Sequence, residues 1–455
     1  MADLEFAHID EQKFSRFHWR ATLTTGLGVF CDGYDLSSLG LVLTLVLHSF
    51  HRDNIPWLQG TLSATALMGA TVGGLGFGML AQRGRKRFYG IDVLILGLAA
   101  VAQAFVPGIF WLIAVRFILG VGVGGDYVLS PVIMAEHSNR ADRGRALGLG
   151  FGTMWPIGAL AAVLFNMLLQ ALHTPDDLRW RLVLAGGAVP ALGVMYFRRT
   201  MPETARFLAK LAGEKNEAAQ VIAEIAGHHA HGGAVGPGQD TRQFGEVFWL
   251  HAKPIFAAAL LWMIYDLVVY VFILFGPSLI APTLGMETSM FALLTQVLFV
   301  LPASVFASLF MIDRLGRKPV QGWGFLFGGI LLGVFALMQH QLLAMPAVAF
   351  AVYGALNVAM TGPGLVSGAG ILGVELAPTR VRSVAQSITV AGGRIGAAIS
   401  GFAFPVLFKG IGQAGAYWVV VAIAILGAVL TFWLIPETGS KSLEAISDRP
   451  AAQKA

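Results

Sequence analysis

The sequence predicts an all-α membrane protein, twelve transmembrane helices in two pseudo-symmetric six-helix halves. Composition is the first reason. Of 455 residues, 56% are hydrophobic and only 13% charged, more apolar and less charged than soluble domains. The second reason is the runs of about 20 mainly apolar residues, each long enough to cross a bilayer. The third is their order: six runs, a long polar interval, then six more.

The first six runs lie near 20–47, 56–81, 88–107, 109–135, 145–171 and 181–197. The rest lie near 254–280, 289–312, 319–339, 345–374, 383–408 and 413–435. This divides the chain into a first half (1–198), a central loop (199–253) and a second half with a tail (254–455). Residues 1–18 are polar, so no secretory leader is expected. Lys and Arg concentrate on one side, in loops such as RGRKR, SNRADRGR and DRLGRK. The other side has only Arg52, Arg179, Arg181 and Lys409. Positive charge stays inside, so both termini and the central loop are expected in the cytoplasm of an inner (plasma) membrane. The lone Cys31 forms no internal disulfide and reads as a buried thiol.

Four acids interrupt the apolar runs: Asp32 and Asp35 in FCDGYDLSSLG, Asp126 in GVGVGGDYVLS and Asp266 in LLWMIYDLVVY. Two bases do the same, Arg116 and Arg394. A charge deep in a bilayer costs several kcal/mol and usually faces a cavity. Trp262, Asp266 and Tyr270 are spaced by four, which puts them on one helix face. Arg394 offers the planar fork that grips carboxylate or phosphate, or else an internal partner for Asp35 or Asp266. Arg116 faces the substrate, pairs with Asp126 or packs below the glycines, and counts among the expected gate residues. Gly73, Gly74, Gly76, Gly78, Gly120, Gly122, Gly124 and Gly125 allow close helix approach. His228, His229 and His231 read as a solvated loop rather than a metal tract.

The halves repeat one another. GMLAQRGRKR matches FMIDRLGRKP, AEHSNRADRGR matches VELAPTRVRS, and MPETARFLAK matches IPETGSKSLE. On these motifs, and on Arg116-x-x-x-Gly120-x-Gly122, the chain resembles the major facilitator superfamily over nearly its whole length. The two PET motifs resemble the branch shared by sugar porters and their relatives, although the sugar-porter glutamine pair of span seven is absent. GGDYVLSPVIMAE, Trp262-x-x-x-Asp266-x-x-x-Tyr270 and Asp32-x-x-Asp35 resemble phosphate:proton symporters, which carry lysine where this chain has Arg394. That family's glutamine of span five aligns near Met154 and its asparagine of span ten with Gly364. Asp32-Gly33-Tyr34-Asp35 and Gly393-Arg394-Ile395-Gly396 also resemble aromatic-acid:proton symporters.

The resemblance implies a substrate site of Tyr127, Trp262 and Asp266, with protons handled by Asp35 and Asp126; spacing and charge add Tyr270 and Arg394 to the expected site and Asp32 and Asp266 to the expected proton path. Arg116, Glu136, Arg143, Asp313, Arg314, Arg317, Glu375 and Arg380 are the expected gate charges. Gln82 stands where the basic loop usually has aspartate, so the gate of the first half is expected to be looser. The implied function is a proton-coupled symporter that imports a small anion, phosphate-like or an organic acid, by alternating access. An organic-carboxylate symporter, a sugar transporter and a non-transporting nutrient sensor are the alternatives. The expected partners are a small anion, protons and the lipid bilayer, for a monomer with no nucleic acid, metal or cofactor. No enzyme motif is present.

Overall fold

The computed structural model describes residues 6–53, 55–226 and 240–447, so the His228, His229 and His231 tract lies outside the described residues. The described chain is helical throughout its apolar parts. In the first half the spans are Arg16–Ser49, Trp57–Arg83, Ile91–Gln103, Ile109–His137, Arg143–Ala171 and Asp176–Arg198. In the second they are Phe244–Phe275, Thr288–Leu315, Arg317–Leu337, Pro346–Glu375 and the pair within Arg382–Leu434. This last run is two helices meeting at Gly412, whose φ of 74° only glycine adopts without strain. Span three is short, 13 residues, because Gly90 with φ 128° delays its start.

Span seven starts earlier than expected, at Phe244, inside the expected central loop. Residues 244–253 continue the helix outward, and Pro254 sits within it. Elsewhere the central segment forms a short helix at Ala205–Phe207 and a longer one at Lys215–Ala226. Large apolar side chains such as Phe105, Phe110, Trp111 and Trp433 are exposed on the outside of the bundle, as lipid contact requires.

Tight crossings hold the bundle together. A methyl on Gly120 would overlap the carbonyl of Ala66, and one on Gly124 that of Ala70, so spans two and four touch backbone to backbone. Gly76 is an exception to the expected glycine contacts, with nothing near it. Between the halves, span two packs on span eleven, span one on span seven and span five on span eight. The helices widen into π-turns at Gly148–Thr153, Gly276–Ile280, Gln296–Val300 and Gly364–Gly368. Members of these four π-turns, though not of those at Leu208–Ala212 and Ala307–Met311, line one cavity between the halves. Such turns often mark functional sites.

Candidate functional site

This cavity, about 140 Å³, is lined by Tyr127, Trp262, Asp266, Tyr270 and Arg394. The five residues come from spans four, seven and eleven, and the four-residue spacing on span seven sets three of them on one wall. Arg394 is 2% exposed. Its Nη1 donates to the Tyr270 phenol at 2.5 Å and reaches Asp266 Oδ2 at 3.5 Å. Its guanidinium carbon lies 4.0 Å from the centre of the Tyr127 ring, a desolvated cation–π contact. Its Nε has no partner. The neighbouring Gly393 is needed because any Cβ there would collide with the Trp262 indole. One glycine thus lets span eleven, which carries the cation, approach the Trp262 wall of span seven.

The other acids lie elsewhere. Asp32 and Asp35 are fully buried on span one, and none of their four carboxylate oxygens has a hydrogen-bond partner. Asp32 is within electrostatic range of Arg394 and Asp126, and Asp35 within range of Arg116. Asp126 is ion-paired with Arg198 and accepts from Ser130 at 2.5 Å. The same arginine bridges to Asp92 at 2.6 Å and lies 4.0 Å over the Tyr89 ring.

At the basic end the repeat becomes a pair of matching clusters. Glu136 is bound by Arg85 of its own half at 3.5 Å, by Arg382 of the other half at 2.9 Å and by Thr204 at 2.5 Å. Glu375 is bound by Arg317 of its own half at 3.0 Å, by Arg143 of the other half at 2.8 Å and by Thr438 at 2.5 Å. The two threonines belong to the two PET motifs. The glutamates of those motifs cap the basic loops: Glu203 accepts from the Lys86 amide at 3.0 Å and Glu437 from the Arg317 amide at 2.9 Å. Asp313 accepts from Arg317 and from the Gly144 and Arg145 amides. Gln82, in the equivalent place, still crosses the halves with a neutral bond to Ser383 at 2.6 Å. Charged pairs tie the two halves together here, so this end is shut.

Arg206 adds a third cluster outside the membrane segments. It donates to Asp10 and Glu444, each at 2.8 Å, and to the Glu136 carbonyl at 2.6 Å. Burial pushes Asp10 above its ordinary value, with Arg206 opposing. For Glu444 burial is outweighed by Arg206, which holds the carboxyl below its ordinary value.

Two six-helix halves around a central cavity with a few charged and polar groups are the architecture of a secondary transporter, and comparison with known proteins agrees. The family model described as "Sugar (and other) transporter" matches residues 21–449. The chain belongs to that family. It is 28% identical over 500 residues to "Probable inorganic phosphate transporter 1-6" of Arabidopsis thaliana, covering 98% of this chain and 96% of that protein. It is 30% identical over 525 residues to "Probable inorganic phosphate transporter 1-10" of Oryza sativa subsp. japonica, covering 98% of this chain and 92% of the relative. Its fold is similar to that of the proton:xylose symporter XylE bound to 6-bromo-6-deoxy-D-glucose. The TM-score is 0.81 at 23% identity, over 96% of this chain and 99% of that one. The protein is therefore a transporter of the major facilitator superfamily and not an enzyme.

Three expected gate residues stand apart in the transporter. Arg116 donates to Gln103 at 3.1 Å and does not pair with Asp126. It enters span four about two turns from the end opposite the gate, too far from Glu136 to act there. Arg314 is exposed, over the Phe310 ring. Arg380 is half-buried, and the neighbouring Arg382 takes the place on Glu136. Arg198, one residue past the expected end of span six, is the buried partner of Asp126. A signal existed: Ala188, Ala191, Val194 and Arg198 form one buried stripe, with Arg199 off it. Asp92, inside the expected third run and five residues past Arg87, was also missed.

Proposed function

We propose that this transporter imports a small anion together with protons across the plasma (inner) membrane, as a monomer with both termini in the cytoplasm. The observation that carries the reading is Arg394 in the central cavity, with an unpaired Nε and a loosely held carboxylate, Asp266, beside it. An incoming oxyanion replaces Asp266 as the partner of the guanidinium. Asp266 then keeps a favourable state only by taking up a proton, because a buried carboxylate without its cation is costly. Anion and proton therefore load together.

Tyr127, Trp262 and Tyr270 wall the bound anion. Asp32, Asp35 and Asp126 relay protons along the first half. Once the site is loaded, the charge clusters at Glu136 and Glu375 open and the halves rock to release both ions. The basic loops favour a cytoplasmic placement of that gate.

Inorganic phosphate is the first substrate to test, since the relatives at 28–30% identity are named for it. An organic carboxylate is the second reading, favoured by Gly364 in the cavity wall, which offers no side-chain amide. The test is uptake of labelled phosphate and of benzoate-like acids into proteoliposomes under an imposed inward proton gradient. Uptake of one class that collapses with a protonophore is expected. Equal rates with and without the gradient would reject proton coupling.

A further inference from the structure

We infer that the cavity has a second polar pole, formed by Thr295 and Gln296 of span eight, which selects an organic anion carrying a hydroxyl group. The inference rests on the anion reading above and names its substrate class. Both residues line the same cavity as Arg394. Thr295 is 6% exposed and its Oγ1 has no partner; Gln296 Oε1 has none either.

Four other helical threonines of this chain supply a contrast. Thr65, Thr71, Thr361 and Thr431 each donate to the carbonyl four residues back, at 2.5, 3.1, 3.1 and 2.7 Å. Such a back-bond is the usual fate of a helical hydroxyl. Thr295 does not make it. It is the last residue before the π-turn Gln296–Val300, where the helix widens. Buried polar atoms are nearly always satisfied, so a bound molecule is the natural partner of these two oxygens.

The aromatic walls of the same cavity fit an organic body. Phe151, Trp155 and Tyr265 line the cavity. Tyr265 fills the space left by two glycines: a Cβ on Gly364 would stand 2.8 Å from its hydroxyl, and one on Gly368 would stand 2.7 Å from its ring. A bare tetrahedral oxyanion held by Arg394 makes no use of these apolar walls. An anion with a short carbon body and a hydroxyl uses all three regions. A hydroxyl both donates and accepts, so it matches either orientation of the Gln296 amide. The anionic head is a carboxylate or a phosphoryl group, both of which suit a guanidinium.

The test uses the full chain in nanodiscs and pairs of compounds that differ only in a hydroxyl. These are 3-hydroxybutyrate against butyrate and glycerol 3-phosphate against propyl phosphate, with inorganic phosphate as reference. In wild-type protein the hydroxylated member of one pair should bind at least about tenfold more tightly. The responding pair identifies the head group. Thr295→Val with Gln296→Leu should bring that ratio close to one while thermal stability is retained. Equal binding within both pairs of the wild type overturns the inference, and that measurement needs no variant. An unchanged ratio in the double variant also overturns it, by leaving discrimination to other residues. Phosphate bound with neither pair discriminated leaves the anion reading standing and the second pole wrong. No binding of any anion sinks both.

Discussion

Arg394 is held more closely by Tyr270, at 2.5 Å, than by Asp266, at 3.5 Å. A neutral phenol, rather than the carboxylate, is the nearer anchor of the buried guanidinium. An ion pair this loose leaves room for an exchange of partners without first breaking a tight bidentate bridge. The pair is worth little as a structural lock and more as a switch.

Asp266→Asn keeps the shape of the side chain and removes its charge. Proton-driven uptake should fall by at least about tenfold, while substrate exchange at zero gradient persists in part. Gradient-driven uptake and counterflow in the same proteoliposomes separate the two. Driven uptake at the wild-type rate would remove Asp266 from the coupling path.

Arg394→Lys retains charge but not the planar fork, and Arg394→Ala loses both. Anion affinity should fall in the order Arg, Lys, Ala. The first step should be larger for a planar carboxylate than for phosphate, which a point charge also serves. Binding by the alanine variant as tight as wild type would make Arg394 a packing residue.

Glu375→Gln strips the charge that Arg143 and Arg317 share from opposite halves. Leaving buried charges without a partner typically costs about 3–5 kcal/mol, so the shut state should lose most of its population. The native chain has one cysteine, Cys31, which is buried. A cysteine introduced at the basic end therefore reports opening through its labelling rate. The rate should rise strongly in Glu375→Gln, and no rise would show that the cluster does not hold the gate.

The Arg206 cluster gives opposite pH signs at its two carboxylates. Asp10 is raised above 3.8 in the folded chain. Its docking therefore gains as pH falls through the raised value, and the gain is complete below 3.8. Glu444 is lowered below 4.5, so its contribution is whole above 4.5 and is lost as pH falls through the lowered value. Mild acid should protect the N-terminal helix from hydrogen exchange, and stronger acid should loosen the tail at 443–447. Simultaneous loosening of both would contradict this division.

The bundle was legible because lipid imposes its pattern on every span. The cavity residues on span seven were legible because one helix face carries them at a spacing of four. The partners were harder to read. Nothing local ties Arg198 to Asp126, which lies 72 residues away, and the expected sixth run stops one residue short of it. Arg382 and Arg380 differ by two positions and only the packed structure chooses between them. Thr295 and Tyr265 carry no charge, so a search for buried ions passes over them.

The tie between Arg206 and Glu444 spans 238 residues of sequence. During translation the guanidinium emerges long before the carboxylate that neutralises it. Until residue 444 has emerged, this cation has Asp10 and the Glu136 carbonyl to lean on. The Arg206 cluster is therefore completed later than either cluster that ties the halves. A chain truncated just short of residue 444 would have all twelve spans and both of those clusters, with Arg206 short of one carboxylate.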